Sequence, residues 1–113
     1  MPTMTMMTGG QAVAETLSAI GVKHVFGIVS VHNLPIYDAL SLHRDIQVIN
    51  VRHEQAAAHA ADAYSRVTGE LGVLLTSTGP GAVNAVPGIY EAAFVSSRVM
   101  MITGQIESRF RGK

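Results

Sequence analysis

The sequence LGVLLTSTGPGAVN, residues 71–84, joins three features that occur together in one kind of fold. Its first part, Leu71 to Thr76, is a β-prone run that predicts a strand. A glycine-proline-glycine turn follows, and the residues around Val83 to Val95 then predict a helix. A strand that leads through a short loop into a helix is the unit from which parallel sheets are built.

The same unit recurs on both sides of this stretch. Three more strands are predicted from short β-prone runs: His24 to Val29, Ile46 to Val51 and Val99 to Thr103. Three more helices are predicted. The first begins at a capping box formed by Thr8 and Gln11 and ends at Gly21, with Val13, Leu17 and Ile20 on one face. The second follows an N-cap at Asn33 and has Pro35 in its first turn, and the third runs from about His53 to Thr68 and is ended by Gly69.

This alternation predicts the fold class. Strands separated by helices pair in parallel through right-handed crossovers, so we expect an α/β fold with an open, mostly parallel sheet and helices on both faces, in three Rossmann-like layers. Residues 1–8 are expected to form an N-terminal tail and residues 9–113 one domain. Such sheets bind ligands beyond the carboxyl ends of their strands, where the loops at 30–32, 52–54 and 77–84 fall.

The composition excludes several classes of function. Eight basic residues balance eight acidic ones, so no net charge favours nucleic acid or an anionic membrane. The chain has no cysteine for disulfides, thiolate catalysis or cysteine-based zinc sites, and no stretch approaches the roughly 18 apolar residues of a membrane span. We interpret it as cytoplasmic, without nucleic-acid or membrane partners. Only 14% of its residues are charged, which indicates that a partner covers some of the surface.

The Gly-Pro-Gly stretch suits a ligand at a helix N-terminus but does not match the usual nucleotide motifs. A dinucleotide fingerprint needs a third glycine where Asn84 stands and an acidic residue about 20 positions later. A P-loop needs Gly-Lys-Ser/Thr, which the stretch lacks. By itself, the stretch is also explained by a tight turn that needs glycine for its backbone angles.

Glu54 is expected at the junction of a strand and a helix, followed by Ala56, Ala57 and Ala58. These alanines are expected to form an apolar wall, where burial disfavours a charged carboxylate while the helix N-terminus favours it. Such a carboxylate is suited to exchanging a proton with a bound heterocycle. The alternative is that Glu54 only stabilises the helix dipole.

No metal site is expected. A zinc-protease motif beginning at His53 would need its second histidine where Ala57 stands. His59 and Asp62 are three positions apart on a helix and could share a metal. A solvated face or a buried, hydrogen-bonded histidine is the commoner explanation for such a pair.

Six segments, by their order and spacing, resemble the N-terminal pyrimidine-binding domain of the thiamine diphosphate-dependent acetolactate synthase, benzoylformate decarboxylase and benzaldehyde lyase family. They are Val25–Ile28, Leu34–Leu40, Arg52–Glu54, Ala61–Gly69, Thr78–Asn84 and Ile102–Gln105, and the resemblance covers essentially all of residues 9–112. It implies a part of an enzyme that acts on 2-keto acids or related carbonyl compounds by carboligation, decarboxylation or C–C lyase chemistry. Glu54 matches the family's glutamate that hydrogen-bonds the aminopyrimidine ring and favours its imino tautomer.

The resemblance also implies the rest of the site. The loop beside the pyrimidine is matched by Thr78, Gly79, Pro80, Gly81 and Asn84. The loop that faces the substrate in related enzymes is matched by Ser30, Val31 and His32, which replace the family's frequent Pro and Gly. His32 is the expected acid or base there, because histidine exchanges protons readily near neutral pH; a capping or surface histidine is the alternative.

In the family, a separate C-terminal domain, normally of a second subunit, holds the diphosphate through Mg²⁺, within a homodimer or homotetramer. Some members also carry FAD. Nothing in this sequence resembles the metal-binding signature of that domain, so we expect a fragment of a longer protein that is inactive by itself. Two alternatives stay open: a non-catalytic relative or interaction domain that keeps the fold, and a nucleotide-binding Rossmann-like module.

Overall fold

The computed structural model describes residues 4–113, which form a parallel four-stranded sheet with helices on both faces. In chain order the elements are α1 (Gly9–Ala19), β1 (His24–Gly27), α2 (Leu34–Leu40), β2 (Gln47–Asn50), α3 (Glu54–Thr68), β3 (Gly72–Thr76), α4 (Pro80–Phe94), β4 (Val99–Thr103) and a short 3-10 helix, Ser108–Phe110. The predicted α/β class is therefore confirmed. Of the predicted tail, residues 1–3 lie outside the described part and residues 4–8 form no helix or strand.

The strands lie in the order β2-β1-β3-β4, and every neighbouring pair is parallel. β3 is buried along its whole length, and its side chains alternate between two cores. Val73 and Leu75 pack with α1 and α2 on one face, whereas Leu74 packs with α3 and α4 on the other. After β1 the chain continues to β2 on one side of the sheet, whereas after β3 it continues to β4 on the other side. The direction in which successive strands are added therefore reverses between β1 and β3. In doubly wound sheets, ligands bind at this position.

Several details of these elements differ from the sequence-based expectations, and β2 and β3 are also slightly shorter than the predicted strands. β1 ends at Gly27 rather than Val29, because the Asn33 side chain binds the Ile28 carbonyl and the chain turns away there. Asn33 is the N-cap residue of α2, but its side chain does not cap the helix. Ile20, predicted on the buried face of the first helix, is its C-cap residue and is 56% exposed.

The last helix also begins earlier than expected. α4 starts at Pro80, three residues before the predicted Val83. Proline fits the first helical turn because its missing N–H would have no partner within the helix there. Gly79 is the N-cap residue and takes a φ of 55°, which favours glycine. The Gly-Pro-Gly sequence is therefore mostly the first turn of the helix rather than a separate turn.

α3 and α4 approach each other through small residues. A methyl group on Gly88 of α4 would overlap the Cβ of Ala58 and lie 3.0 Å from the His59 backbone nitrogen in α3. Ala57, Ala61 and other buried alanines fill the same contact. This close approach sets the distance between the amino ends of the two helices, at the carboxyl edge of the sheet. No helix in residues 4–113 is long and apolar enough to cross a bilayer.

We predict that Gly88→Ala lowers the local free energy of unfolding of α3 by about 1–3 kcal/mol, because the added methyl group overpacks the α3–α4 contact. Native-state hydrogen exchange of the α3 amides measures this change. The matched control is Gly9→Ala in α1, where no atom lies within 4 Å of the added Cβ and we expect little change. Equal effects of the two substitutions would show that the close contact does not limit stability.

Candidate functional site

Three loops meet at the carboxyl edge of the sheet: residues 28–33 after β1, 51–53 after β2 and 77–79 after β3. Glu54 is the first residue of α3 and only 9% exposed. His53 caps this helix, its Nδ1 accepting a hydrogen bond from the Gln55 backbone N–H at 3.1 Å. A buried carboxylate thus lies at a helix N-terminus, where the helix dipole favours its charged form.

Glu54 is held from α4. Asn84 Nδ2 donates a hydrogen bond to Glu54 Oε2 at 3.2 Å, so one carboxylate oxygen has a protein partner. The other oxygen, Oε1, makes no hydrogen bond to the described residues and is not among their fully buried atoms without a partner. It faces Gly81, where a Cβ would lie 3.0 Å from Oε1 and 2.9 Å from the Cβ of Ser77. A side chain at this position would collide with Glu54 and Ser77, so glycine lets the carboxylate pack directly against the first turn of α4.

The residues before Gly81 shape the loop after β3. The Thr78 carbonyl accepts a hydrogen bond from the Gly81 N–H at 3.2 Å, and Gly79 and Pro80 are exposed at the start of α4. The Ser77 carbonyl accepts a hydrogen bond from Thr103 Oγ1 at 2.8 Å, which ties the loop to the end of β4. Thr78, Gly79 and Pro80 therefore form the end of this loop and the start of α4, directly before Gly81.

The loop after β1 reaches another part of the edge. Val31 and His32 are exposed, and Ser30 is half-buried. His32 lies against Gly104, which follows β4: a Cβ on Gly104 would lie 2.9 Å from both the Cβ and the carbonyl oxygen of His32. The structure thus brings Glu54, Gly81 and Asn84 together. It places His32 on the same edge, but no hydrogen bond links His32 to Glu54 in residues 4–113.

The expected apolar wall is only partly present. Ala57 and Ala58 are fully buried, Ala58 against Gly88 of α4, but Ala56 is exposed because it lies on the outer side of α3. Glu54 is therefore also enclosed by the start of α4, where Gly81 lies beside Oε1 and Asn84 bonds Oε2.

His59 and Asp62 belong to different environments. His59 is exposed, with its Nε2 3.4 Å from Gln55 Nε2. The buried Asp62 carboxylate accepts hydrogen bonds from Arg66 Nε and Nη2 at 2.9 and 2.7 Å. Within residues 4–113, no group of three or more histidines and acidic residues is arranged to hold a metal ion. Asp62 serves instead to link α3 to α4, because Arg66 also contacts Glu91 at 3.2 Å.

Residues 7–113 match the family described as thiamine pyrophosphate enzyme, N-terminal TPP binding domain. The chain belongs to this family. Thiamine pyrophosphate is another name for thiamine diphosphate, so the family assignment agrees with the resemblance described above.

The relatives of this thiamine pyrophosphate-binding domain include large subunits of acetolactate synthase. The chain is 45% identical over 109 residues to that of Buchnera aphidicola subsp. Acyrthosiphon pisum, covering 96% of the chain and 19% of the relative. It is 47% identical over 108 residues to that of Pyropia yezoensis, covering 93% and 18%. It is 44% identical over 109 residues to the isozyme 3 large subunit of Escherichia coli K12, covering 96% and 19%. The chain thus spans about a fifth of the length of these relatives.

Two residues at the carboxyl edge of this domain were not identified from the sequence as part of the site. Asn33 was interpreted only as an N-cap, but its side chain holds the loop that carries His32. Gly104 is the position on which His32 lies. A glycine directly after a predicted strand was the available signal for close backbone approach. For Asn33, the available signal was an asparagine three residues after Ser30, a spacing at which its side chain can hydrogen-bond the loop backbone.

We predict that Asp62→Asn lowers the free energy of unfolding of this domain by about 1 kcal/mol at neutral pH and reduces its dependence on acid pH. The Arg66 hydrogen bonds hold the pKa of Asp62 below its ordinary value, so the stabilisation is present above the unfolded-state pKa and is lost as pH falls through the folded-state pKa. Thermal unfolding across a pH series measures this loss. The matched control, Asp38→Asn, changes an exposed aspartate of α2; an equal loss in both variants would contradict the assignment.

Proposed function

We propose that the chain is the pyrimidine-binding part of a thiamine diphosphate-dependent enzyme that acts on 2-keto acids or related carbonyl compounds, with Glu54 as the residue that activates the cofactor. The reaction class is carboligation, decarboxylation or C–C lyase chemistry. One observation supports the proposal above the others: Glu54 is a buried carboxylate with one oxygen held by Asn84, while the other, Oε1, lies beside Gly81 without a hydrogen-bonding partner among the described residues.

This arrangement fits the edge of a flat heterocycle. Oε1 of Glu54 can share a proton with a ring nitrogen, since it has no hydrogen-bonding partner among the described residues. Gly81 lets the first turn of α4 pack against Oε1, since a side chain there would overlap Glu54 and Ser77, and Gly79 and Pro80 at the start of this helix are exposed. When it is bound, the cofactor supplies the carbanion chemistry of the reaction.

The role of the protein is to hold the Glu54 carboxyl group in a fixed position for proton exchange with the ring. The Asn84 hydrogen bond fixes the plane of the carboxyl group and leaves Oε1 as the atom that donates or accepts the proton. A buried carboxyl group held in one orientation, with one oxygen free of protein partners, is suited to general acid–base exchange with a ring nitrogen.

We assign the substrate side of the site to Ser30, Val31 and His32. Val31 and His32 are exposed at the carboxyl edge, where ligands of doubly wound sheets bind. An imidazole there can protonate or deprotonate the oxygen of a carbonyl substrate near neutral pH. In His32→Ala we expect slower turnover with unchanged cofactor binding; unchanged turnover would remove His32 from the site.

The proposal requires a partner domain. We assign the diphosphate and Mg²⁺ to a diphosphate-binding domain of a second subunit, in a homodimer or homotetramer. Support comes from one face of α4, where four apolar side chains at helical spacing are each more than half exposed: Val83, Val86, Tyr90 and Phe94. A full-length protein that stays monomeric in sedimentation with the cofactor and Mg²⁺ would contradict this assembly.

Flavin absorbance of the purified full-length protein decides whether it carries FAD, as some members of the family do. A cytoplasmic location agrees with the absence of cysteine from the sequence. Recovery of the full-length protein only outside the cytoplasm in cell fractionation would contradict that location. Neither nucleic acid nor a membrane is a proposed partner.

We predict that Glu54→Gln in the full-length protein slows exchange of the cofactor C2 proton by at least about a hundredfold, because an amide cannot exchange the proton that the carboxyl group exchanges. Hydrogen–deuterium exchange at C2, followed by NMR after acid quench, measures this rate. Folding should be retained, since Gln has nearly the same shape and can still bond Asn84.

The matched control is Glu15→Gln, which makes the same chemical change at an exposed position of α1, on the other face of the sheet. We expect its C2 exchange rate to stay close to that of the unmodified protein. Unchanged exchange in Glu54→Gln would exclude the assigned role and would favour a non-catalytic relative that keeps the fold.

A further inference from the structure

Asn33 is completely buried, and its bonds hold the loop between β1 and α2. Its Oδ1 accepts a hydrogen bond from the Ser30 N–H at 2.7 Å, and its Nδ2 donates one to the Ile28 carbonyl at 3.0 Å. Its backbone N–H donates to the Ser30 carbonyl at 3.2 Å. All three bonds lie within residues 28–33, so one side chain and its own amide fix the path of the loop.

The rest of the loop contributes little to this order. Ser30 Oγ is buried and has no hydrogen-bonding partner among the described residues, and Val31 is exposed. Buried backbone groups need partners, and the Ile28 carbonyl and the Ser30 N–H obtain theirs from Asn33. Without the Asn33 side chain, both groups would have to reach water, which requires the loop to move.

His32 lies directly before Asn33 and is placed by a second contact. Its Cβ and carbonyl lie on Gly104, whose N–H donates to the Thr76 carbonyl at 3.1 Å. The loop therefore extends from β1 past the end of β3 and rests on the chain after β4. Asn33 fixes one end of this path and Gly104 supports the other.

We propose that Asn33 is a positioning residue that sets the place of His32 at the carboxyl edge, and through it the approach of a 2-keto acid substrate. This inference rests on the proposed function, because it needs His32 to act on the substrate. Asn33 itself has no exposed surface and therefore does not touch substrate. Its effect on turnover must pass through His32.

The first test needs no substrate. In the full-length protein we expect Asn33→Ala to speed amide hydrogen exchange in residues 28–33 by at least about tenfold, since the Ser30 N–H loses its acceptor. The matched control is Ser65→Ala, which removes a buried hydroxyl that accepts the Arg98 N–H at 3.0 Å on the opposite edge of the sheet. Unchanged exchange in residues 28–33 of Asn33→Ala would overturn the inference.

The second test is a double-mutant cycle on the holoenzyme with thiamine diphosphate and Mg²⁺, using pyruvate and benzoylformate as probe 2-keto acids. We expect Asn33→Ala and His32→Ala each to lower kcat/KM by about 10- to 100-fold, and the double variant to be little worse than His32→Ala. The limb of the pH–rate profile that His32→Ala removes should shift or disappear in Asn33→Ala. Cofactor C2 exchange should stay within about threefold in both, because Glu54 is unaffected.

A conservative variant guards against misfolding. Asn33→Ser keeps an uncharged polar group in the buried position but loses the donor to Ile28, so we expect kcat/KM between those of the unmodified protein and Asn33→Ala. If Asn33→Ala does not fold, the cycle is run with Asn33→Ser. If the loss of kcat/KM in the double variant equals the product of the losses in the two single variants, the inference is overturned and the proposed function stays intact. A full-length protein without thiamine diphosphate-dependent C2 exchange or turnover would overturn both.

Discussion

The close contact between α3 and α4 is the constraint on which the candidate site depends. Gly88 and Ala58 allow the two helices to approach nearly to backbone contact, and protein interiors resist changes in such packing. Because the helices start at the same edge of the sheet, this spacing puts Asn84 within hydrogen-bonding distance of Glu54. A wider contact would leave the carboxylate without its hydrogen bond from Asn84.

The electrostatics of Glu54 follow from that packing. A buried carboxylate is unfavourable unless hydrogen bonds or a dipole compensate for lost water, and here both are supplied, by Asn84 and by the N-terminus of α3. The groups are fixed before any ligand arrives, so little reorganisation is required when a proton moves. The preorganised carboxylate thus connects ordinary helix packing to the chemistry that we propose.

The sequence was sufficient for the order of elements and the position of Glu54, because hydrophobic runs and glycine stops are local signals. It was insufficient where tertiary contacts determine the partners or the exposure of a side chain. Asparagine is a typical N-cap residue, but the side chain of Asn33 bonds the Ser30 N–H and the Ile28 carbonyl instead of the backbone of the helix. Ile20 fits the apolar face of α1 by spacing, but the helix ends just before it and leaves it exposed. The contact of His32 with Gly104 joins residues far apart in the chain, which no local pattern indicates.

The central claim is that the carboxyl group of Glu54 binds the pyrimidine end of thiamine diphosphate. Calorimetric titration of thiamine diphosphate with Mg²⁺ into the full-length protein, and into its Glu54→Ala variant, tests this most directly. The account predicts Mg²⁺-dependent binding that is at least about tenfold weaker in the variant, since the ring loses its hydrogen-bonding partner. Equal affinity in both proteins, or no binding by the folded unmodified protein, would contradict it.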